Sequence, residues 1–272
     1  CQSPRRREEK MSARTTRFQK LDFAVAWDEA DQRHVYLEDA DLVIADNEIV
    51  HVGPDFAGTA DVVVDGTGLM AIPGFVNVHS HPFSEPANKG LTEEVGSDKL
   101  GQSSLYEFLP VFGLDAEDAG PSTRVALSEL LKSGVTTITD LSISRPGWLD
   151  DLAASGIRAI VAPMMRQGHW FTRNGHTVEY AWDEKAGAKA FEAAMQTIDQ
   201  AMQHPSGRLS GMVCPSQIDT CHEGYFKEAL QEARKRGIPM QTHACQAVVE
   251  FHEIMHRYGK TPIEWLDAIG VL

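Results

Sequence analysis

The feature of this sequence that most constrains its fold is a unit that occurs three times. In each copy a helical stretch ends in glycine and is followed directly by a β-branched strand. The glycines are Gly134, Gly156 and Gly237, and the strands cover residues 135–139, 157–162 and 238–243. Glycine favours the left-handed conformation that ends a helix. Strands that alternate with helices form parallel sheets, so the unit predicts an α/β fold.

Two further segments, residues 71–81 and 209–214, extend the prediction to five parallel strands. The intervening helices are predicted over residues 123–133, 184–203 and 225–236. Such strands fit either an open doubly wound sheet or five of the eight units of a (β/α)8 barrel. The Gly-x-Gly-x-x-Gly motif of dinucleotide-binding folds is absent after the first strand. The pattern of strands and helices leaves the two folds open.

Residues 21–68 have a different pattern, with short β-rich runs and turn residues between them. The predicted strands cover residues 23–27, 35–37, 42–45, 49–52 and 62–64. Asp46-Asn47 and Asp65-Gly66 are pairs that favour turns. A small β unit is therefore expected ahead of the parallel sheet.

The first 20 residues are expected to be a disordered or non-native leader. The charged run Arg5 to Lys10 stands directly before Met11, the first methionine of the chain. Arg, Glu and Lys can all be encoded by purine-only codons, so this run can be a translated ribosome-binding site. A disordered charged tail is the alternative interpretation.

Composition excludes some partners. The formal net charge of −14 disfavours nucleic acid, whose phosphates would be repelled. No run approaches the ~18 apolar residues of a membrane span. The four cysteines form no Cys-x-x-Cys pair, which disfavours a zinc ribbon and fits a reducing cytoplasm. We expect a cytoplasmic protein that binds a small molecule, and a homo-oligomer remains open.

The first of the predicted parallel strands ends in two histidines. Residues 73–82 read Pro-Gly-Phe-Val-Asn-Val-His-Ser-His-Pro. Because side chains alternate along a strand, His79 and His81 share one face. Two such imidazoles can bind one ion, with Zn–N distances of about 2.0–2.1 Å. Ligand sites of parallel α/β folds lie beyond the carboxyl ends of the strands, so a metal site is predicted here. Two histidines packed beside a core are the alternative.

This segment resembles the signature of the amidohydrolase superfamily. Other segments resemble the β-sandwich domain, the second strand, the fifth strand and the helix before the sixth strand of that family: residues 47–53 with 65–68, then 129–140, 237–243 and 259–266. The nearest branch is similar to cytosine deaminase, adenosylhomocysteine deaminase and triazine chlorohydrolase. The resemblance implies a (β/α)8 TIM barrel over residues 69–272, with about its first five units present, and a small β-sandwich portion over residues 21–68.

The resemblance also implies a ligand set. His243 would join His79 and His81 as the third metal ligand, and a His and an Asp on later strands would complete the site. The sequence ends before those strands, so we expect an incomplete barrel. Residues 209–214 lack the Lys of the family's two-metal sites, which favours one divalent ion, zinc, with iron as the alternative. A histidine at a strand end without a metal is the other interpretation of His243.

The implied function is a hydrolase in which metal-activated water attacks a C–N or similar bond of a small cyclic nitrogen compound. The resembled branch has a proton-carrying Glu three residues after the fifth-strand His, where this chain has Gln246. Glutamine can hydrogen-bond a substrate but cannot carry a proton. Gln246 is therefore the candidate at the catalytic position, and Glu85 and Glu250 are carboxylates that could take over proton transfer. Deamination, amide cleavage and dechlorination stay open.

The segment after the third strand, predicted as a loop, is rich in aromatic and basic residues: Arg166, His169, Trp170, Phe171, Arg173 and His176. Loops after barrel strands line active sites. We therefore predict that His169, Trp170, His222 and Gln246 bind a flat heterocyclic substrate. A solvated loop with one buried tryptophan is the alternative.

A second histidine motif competes with the first. Residues 252–256 match the His-Glu-x-x-His helix motif of zinc proteases, although Pro262 stands where the extended motif has its third His. The same segment carries an apolar stripe at helical spacing, formed by Val248, Phe251, Met255 and Tyr258. Such a stripe predicts the packed face of a helix, which leaves His252 and His256 on a solvated face. A zinc protease using His252, Glu253 and His256 is the alternative enzyme. A non-catalytic binding protein of barrel fold is the alternative without catalysis.

Overall fold

The computed structural model describes residues 14–92, 114–115, 117–174 and 177–272. The chain divides into two compact units, Cys1–Gly74 and Phe75–Leu272. Residues 1–13 of the predicted leader, and His176, lie outside the described residues, whereas residues 15–20 of the predicted leader form β-strand. None of the helices that the structure describes has the length and apolar character that crossing a membrane requires.

The first unit contains one mixed β-sheet. Its strands are β1 Thr15–Asp28, β2 Arg33–Ala45, β3 Glu48–Gly53, β4 Val62–Asp65 and β5 Met70–Ala71. β1, β2 and β3 are antiparallel neighbours, whereas β4 and β5 pair with β1 in parallel. A small core of Leu21, Ala24 and Ala40 lies on this sheet. The described strands of the unit form one layer, and the predicted turn at Asp46-Asn47 joins β2 to β3.

Two strand boundaries in this unit differ from the predicted ones. β1 begins at Thr15, before residue 21, because its first residues pair with both β2 and β4. Residues 35–37 and 42–45, predicted as two strands, belong to the single strand β2. The register shift between Phe18 and Leu21 places two residues of β1, including Lys20 with φ of 60°, opposite the single residue Asp41 of β2. A bulge of this kind lets β2 continue as one strand where the sequence alone indicates a break.

The second unit is built on parallel strands that follow one another in chain order. β6 Phe75–Ser80, β7 Val135–Asp140, β8 Arg158–Val161 and β12 Leu209–Gly211 are neighbours in that sequence. β9 Met164–Met165 and β13 Cys214–Pro215 pair in parallel just beyond β8 and β12. This order confirms the predicted parallel α/β arrangement, and the described strands do not form a closed barrel.

Helices connect these strands and cover the sheet. They are α1 Glu85–Thr92, α2 Ala119–Lys132, α3 Trp148–Ser155, α4 Glu184–Met202, α5 Glu223–Arg236, α6 Val248–Tyr258 and α7 Pro262–Ala268. Gly156 and Gly237 end α3 and α5 with φ of 83° and 65°, the left-handed conformation that glycine adopts without a Cβ clash. Apolar side chains of α4, α5 and α7 pack together around Ile198, Phe226 and Trp265.

Three predicted segments of the second unit have a different structure. Ala71 pairs with β1 and belongs to the first unit's sheet. Residues 238–243 form two parallel bridges, Val213 to Met240 and Gln217 to His243, instead of a regular strand. The pairing is irregular because the two bridges do not keep one register. Val213 and Gln217 are four residues apart, whereas their partners Met240 and His243 are three residues apart.

The third difference lies in the segment predicted as a loop after the third strand. It contains an antiparallel hairpin of β10 Gly168–Thr172 and β11 Val178–Trp182. Aromatic and β-branched residues in both runs, which favour strands, are the sequence signal for this hairpin.

Candidate metal centre

Three histidines meet at the carboxyl end of the parallel strands of the second unit. His79 lies in β6, and His81 directly follows the last residue of that strand. His243 lies opposite Gln217, at the end of residues 238–243, which were predicted as the fifth strand and are called the fifth segment below. The carboxyl ends of parallel strands open onto the same edge of a sheet, so residues distant in sequence can face one space there.

The Nε2 atoms of these histidines form a nearly equilateral triangle. The Nε2 atom of His79 is 3.1 Å from that of His81 and 3.1 Å from that of His243, and the last two are 3.2 Å apart. In the described part of the chain, no other group of three or more His, Cys, Asp or Glu side chains converges in a way that could hold an ion. The structure thus brings together the three residues that the sequence named as ligands.

The triangle fits a divalent ion of the size of zinc. A tetrahedral zinc ion about 2.0–2.1 Å from each nitrogen separates its ligands by about 3.3 Å, close to the 3.1 and 3.2 Å observed. Three neutral imidazoles protonated at Nδ1 would otherwise direct their Nε2 lone pairs at one another, which is unfavourable without a cation. Imidazole nitrogen suits zinc and also iron.

Backbone carbonyls orient two of the three rings. The Nδ1 atom of His81 lies 2.8 Å from the carbonyl oxygen of Leu141, and that of His243 lies 2.6 Å from the carbonyl oxygen of Ser216. A carbonyl oxygen only accepts, so each Nδ1 must carry the proton and donate it. The lone pair of each ring is then on Nε2, directed into the triangle, as a metal ligand requires.

Burial keeps the rings in the form that binds metal. It lowers the pKa of His81 to about 4, although the hydrogen bond to Leu141 opposes this shift. Burial also lowers the pKa of His79 and of His243. Neutral imidazole is the ligating form, so near pH 7 all three rings are available to an ion.

The third ring is oriented by a side chain. The Nδ1 atom of His79 is 3.2 Å from Nε2 of Gln241, and the backbone N–H of His79 donates to Oδ1 of Asn77 at 3.0 Å. Gln241 stands two residues before His243 in the fifth segment. One segment therefore supplies both a candidate ligand and the neighbour of another.

A buried acid supports the strand end beside His81. Asp140, the last residue of β7, is fully buried and accepts hydrogen bonds from Oγ of Ser142 and, at 2.8 Å, from Nε1 of Trp148. Burial raises its pKa to about 6, and the two hydrogen bonds oppose this shift. The next residue is Leu141, whose carbonyl accepts from His81. Asp140 thus holds the backbone that orients a candidate ligand.

Gln246 and Glu250 lie next to the fifth segment. Glu250 is fully buried, and its carboxylate accepts the backbone N–H groups of Cys245 at 2.5 Å and Gln246 at 3.3 Å. Cys245 has φ of 60°, so Glu250 stabilises a tight turn directly after His243. Burial raises the pKa of Glu250 to about 7. Glu85, the other carboxylate considered for proton transfer, lies at the start of α1, 3.8 Å from Nζ of Lys89.

The β10–β11 hairpin carries two of the predicted substrate-binding residues. Trp170 is buried and packs against Ala247 and Val249, and the guanidinium of Arg166 lies 5.4 Å from its ring centre. His169 precedes it on the exposed side of β10. Trp170 thus ties the hairpin to the start of α6, a structural role that the sequence offered as the alternative.

A stack of side chains links the same hairpin to the segments after β13. The ring of His222 stacks on that of Trp182 with centres 3.9 Å apart. The guanidinium of Arg257 lies 4.8 Å from the Trp182 ring and 4.6 Å from that of Tyr180, whose hydroxyl donates to Asp219 at 2.8 Å. These contacts join β11, α5 and α6.

The protease-like motif lies on α6 and has a different environment. Glu253 accepts a hydrogen bond from Nε of Arg257 at 2.6 Å, and its other oxygen is 3.9 Å from Nδ1 of His256, a ring that is 84% exposed. His252 is exposed as well. The acid is thus engaged by arginine, and the histidines converge on no third ligand among the described residues.

The apolar stripe expected to pack on this helix is wrong for three of its four residues. Val248, Phe251 and Met255 are exposed, whereas Ile254 and the acid Glu250 are fully buried. The helix turns Glu250 inward because the backbone N–H groups of the preceding turn need an acceptor. A buried hydrogen-bond requirement thus decides which face of α6 packs.

Sequence reasoning missed the groups that orient the histidines. Gln241 carried a weak signal, since residues i and i+2 of an extended segment face the same side and His243 follows it by two. The carbonyls of Leu141 and Ser216 carry none, because every residue has a carbonyl group. The free cysteines Cys214 and Cys221 are buried.

The sequence is similar to known proteins over most of its length. The sequence model of the amidohydrolase family matches residues 70–272. A 5-methylthioadenosine/S-adenosylhomocysteine deaminase of Natronomonas pharaonis is 29% identical over 235 residues, 85% of this chain and 50% of that protein. A 5'-deoxyadenosine deaminase of Methanosphaera stadtmanae is 25% identical over 239 residues, 87% and 52% of the two chains. The chain spans about half the length of these relatives.

A solved structure shares the fold. Atrazine chlorohydrolase from Arthrobacter aurescens TC1, complexed with zinc, superposes with a TM-score of 0.72 at 20% identity, covering 94% of this chain and 58% of its own. Such a likeness shows a common α/β fold of the TIM-barrel type. The family match extends over most of the chain and includes all three histidines of the triangle. This chain belongs to the amidohydrolase family.

Proposed function

We propose that this protein is a metal-dependent hydrolase that acts on a carbon–nitrogen or similar bond of a small cyclic nitrogen compound. His79, His81 and His243 would hold one divalent ion, with zinc favoured over iron. Residues 69–272 would form the first five units of a (β/α)8 barrel, and residues 21–68 part of a small β-sandwich. The observation that carries the proposal is the triangle of Nε2 atoms with sides of 3.1 to 3.2 Å.

A bound divalent ion acts as a Lewis acid and lowers the pKa of a water molecule from ~15.7 toward ~7. The chain prepares the site for such an ion. The carbonyls of Leu141 and Ser216 fix the tautomers of His81 and His243, and burial keeps both rings neutral. Rigid orientation of this kind means that little is reorganised when a substrate arrives.

Because Gln246 stands at the candidate catalytic position, the proposed reaction needs another group to transfer protons. The amide of Gln246 can hydrogen-bond a substrate but cannot transfer a proton. Glu250, the nearby carboxylate, is buried and accepts two backbone N–H groups, so it supports the turn that holds Gln246. We therefore propose that Gln246 orients the substrate and that another group moves protons. Dechlorination, for which the structural relative is named, needs less proton transfer to the leaving group than deamination.

Two sequence relatives are named as deaminases of adenosine derivatives, which supports a flat nitrogen heterocycle as substrate. Contacts of His169, Trp170 and His222 with such a substrate stay predictions. The hairpin that carries His169 and Trp170 follows β9 at the carboxyl end of the sheet, where barrel enzymes bind substrates.

The test is metal analysis and turnover of the native-length protein. We expect about one equivalent of zinc per chain and hydrolysis of at least one compound in a panel of 5'-deoxyadenosine, guanine and chlorinated triazines, followed as ammonia or chloride release. A protein that takes up no metal when zinc is supplied would contradict the proposal. Full metal loading without turnover on any of these compounds would favour the non-catalytic binding protein.

A further inference from the structure

The three histidines are not held in the same way. His81 and His243 each face a backbone carbonyl, which no side-chain substitution removes. His79 faces the side-chain amide of Gln241, at 3.2 Å from its Nδ1 atom. His79 is also the most exposed ring of the three. Its orientation therefore depends on one replaceable group.

The chemistry of the amide fixes which end must face the ring. If the NH₂ group of Gln241 faces His79, Nδ1 must accept, so the proton lies on Nε2 and the ring cannot bind an ion through that atom. If the amide is turned by 180°, its oxygen accepts from Nδ1–H, and the Nε2 lone pair points into the triangle. The two orientations of the amide occupy the same space and differ only in which end is the oxygen, so the hydrogen bonds around it decide between them.

A second observation concerns the other end of the amide. Oε1 of Gln241 is buried and has no hydrogen-bond partner among the residues that the structure describes. Buried polar atoms without partners are uncommon in proteins and costly. Turning the amide exchanges its two ends, so that the NH₂ group takes the position without a partner. The oxygen then accepts from Nδ1–H of His79, and the pattern around the third ring matches that around His81 and His243.

The backbone around Gln241 keeps its side chain in place. Its N–H donates to the carbonyl oxygen of Val213 at 2.9 Å, and the N–H of His243 donates to the carbonyl oxygen of Ser216 at 3.1 Å. Gln241 and His243 point to the same side of this extended segment, toward His79. The segment thus reaches β6 with two side chains at once.

We propose that Gln241 is a positioning residue of the metal centre, whose amide oxygen accepts from Nδ1–H of His79 and sets that ring's tautomer for metal binding. This rests on the proposed metal site. Groups that hydrogen-bond the outer nitrogen of a ligating histidine typically contribute 10- to 100-fold to metal affinity. Gln241 thereby couples the fifth segment to the first strand.

The experiment measures zinc affinity by competition with a chromophoric chelator at pH 8, on the native-length protein and three variants. Gln241→Leu removes the acceptor and should weaken zinc binding by about 10- to 100-fold. Gln241→Glu keeps an acceptor and should bind zinc at least as tightly as the wild type. Gln196→Leu, at an exposed glutamine of α4 whose amide contacts Glu192, should change nothing.

The outcomes separate this proposal from the metal site itself. A wild type that binds no zinc would overturn both. A wild type that binds zinc and a Gln241→Leu protein of equal affinity would overturn only the role of Gln241. Should Gln241→Leu fail to fold, Gln241→Glu decides the matter: equal or tighter zinc binding than the wild type supports the role of the oxygen, and a loss of about 10-fold or more would contradict it.

Discussion

The chain contains two histidine motifs with the spacing of metal sites, and their surroundings differ. His79 and His81 lie at a strand end and meet His243, and the Nε2 atoms of the three rings are 3.1 to 3.2 Å apart. His252 and His256 stand on α6, exposed, beside a Glu253 that is bonded to Arg257. The first motif has partners that fix proton positions, and the second has none among the described residues that would do so.

The difference shows that spacing alone does not make a metal site. A ligand histidine needs its outer nitrogen held by an acceptor and its inner nitrogen directed at the other ligands. The strand-end motif meets both conditions through Leu141, Ser216 and the neighbouring Gln241. The helical motif has the residue types but lacks a converging third ligand in the described part of the chain.

The largest expected effect comes from removing one of the three histidines proposed as ligands. His243→Ala should weaken zinc binding by roughly a thousandfold, since it removes one of the three histidines proposed to hold an ion whose site contributes ~10 kcal/mol or more. His252→Ala, measured by the same chelator competition, should leave the affinity unchanged. Equal losses in both variants would break the comparison.

The packing of α6 gives the next effect. Ile254 is fully buried, so Ile254→Ala should lower the free energy of unfolding by about 2 to 5 kcal/mol. Met255→Ala, at a side chain that is 40% exposed, should cost less than about 1 kcal/mol. Urea denaturation of both variants measures this difference. A larger cost at Met255 would mean that the apolar stripe, and not the Glu250 face, is buried.

The buried acid beside the first motif predicts a pH dependence. The pKa of Asp140 rises from its ordinary 3.8 to about 6 in the folded protein, so the folded state holds this proton more tightly than the unfolded state does. The protonated acid therefore stabilises the folded state below about pH 4. This contribution to the free energy of unfolding, on the order of 2 to 3 kcal/mol, is lost as pH rises from about 4 to about 6. The free energy of unfolding of wild type minus that of Asp140→Asn should fall across this window and stay constant above it.

The control for this prediction is Met255→Ala, since this partly exposed side chain of α6 carries no titratable group. Its difference from wild type should show no fall between pH 4 and 6. A flat profile for Asp140→Asn in denaturant titrations would mean that Asp140 ionises in the folded protein as it does in water.

The smallest effect is expected at the acid of the helical motif. Glu253→Gln removes an ion pair with Arg257 whose side chains are 26% and 15% exposed, and partly exposed pairs contribute about 1 kcal/mol or less. Zinc affinity should not change. A large drop in zinc content would assign Glu253 to a metal site and bring the two motifs back to equal standing.

Local pattern predicted the helix ends and most of the parallel strands because these depend on short-range rules. The helices before Gly156 and Gly237 end in the expected left-handed glycines, but residues 238–243 form two bridges instead of a regular strand. The hairpin β10–β11 was predicted as a loop, since its aromatic residues were interpreted as a substrate surface before their pairing partners were known. The buried face of α6 was misassigned because helical periodicity considers only apolar residues. It cannot detect that the buried carboxylate of Glu250 accepts backbone N–H groups of the turn before the helix.

The sequence by itself determined that His79 and His81 share one face at the end of a strand, because side chains alternate along any extended chain. It also named His243, through its resemblance to a family. Only the tertiary structure decided that these rings meet, since His79 and His243 are 164 residues apart and contact depends on how the strands pair. Tertiary structure alone likewise placed Gln241 against His79 and two carbonyls against the other rings, because such partners are set by packing across the sheet and leave no local pattern.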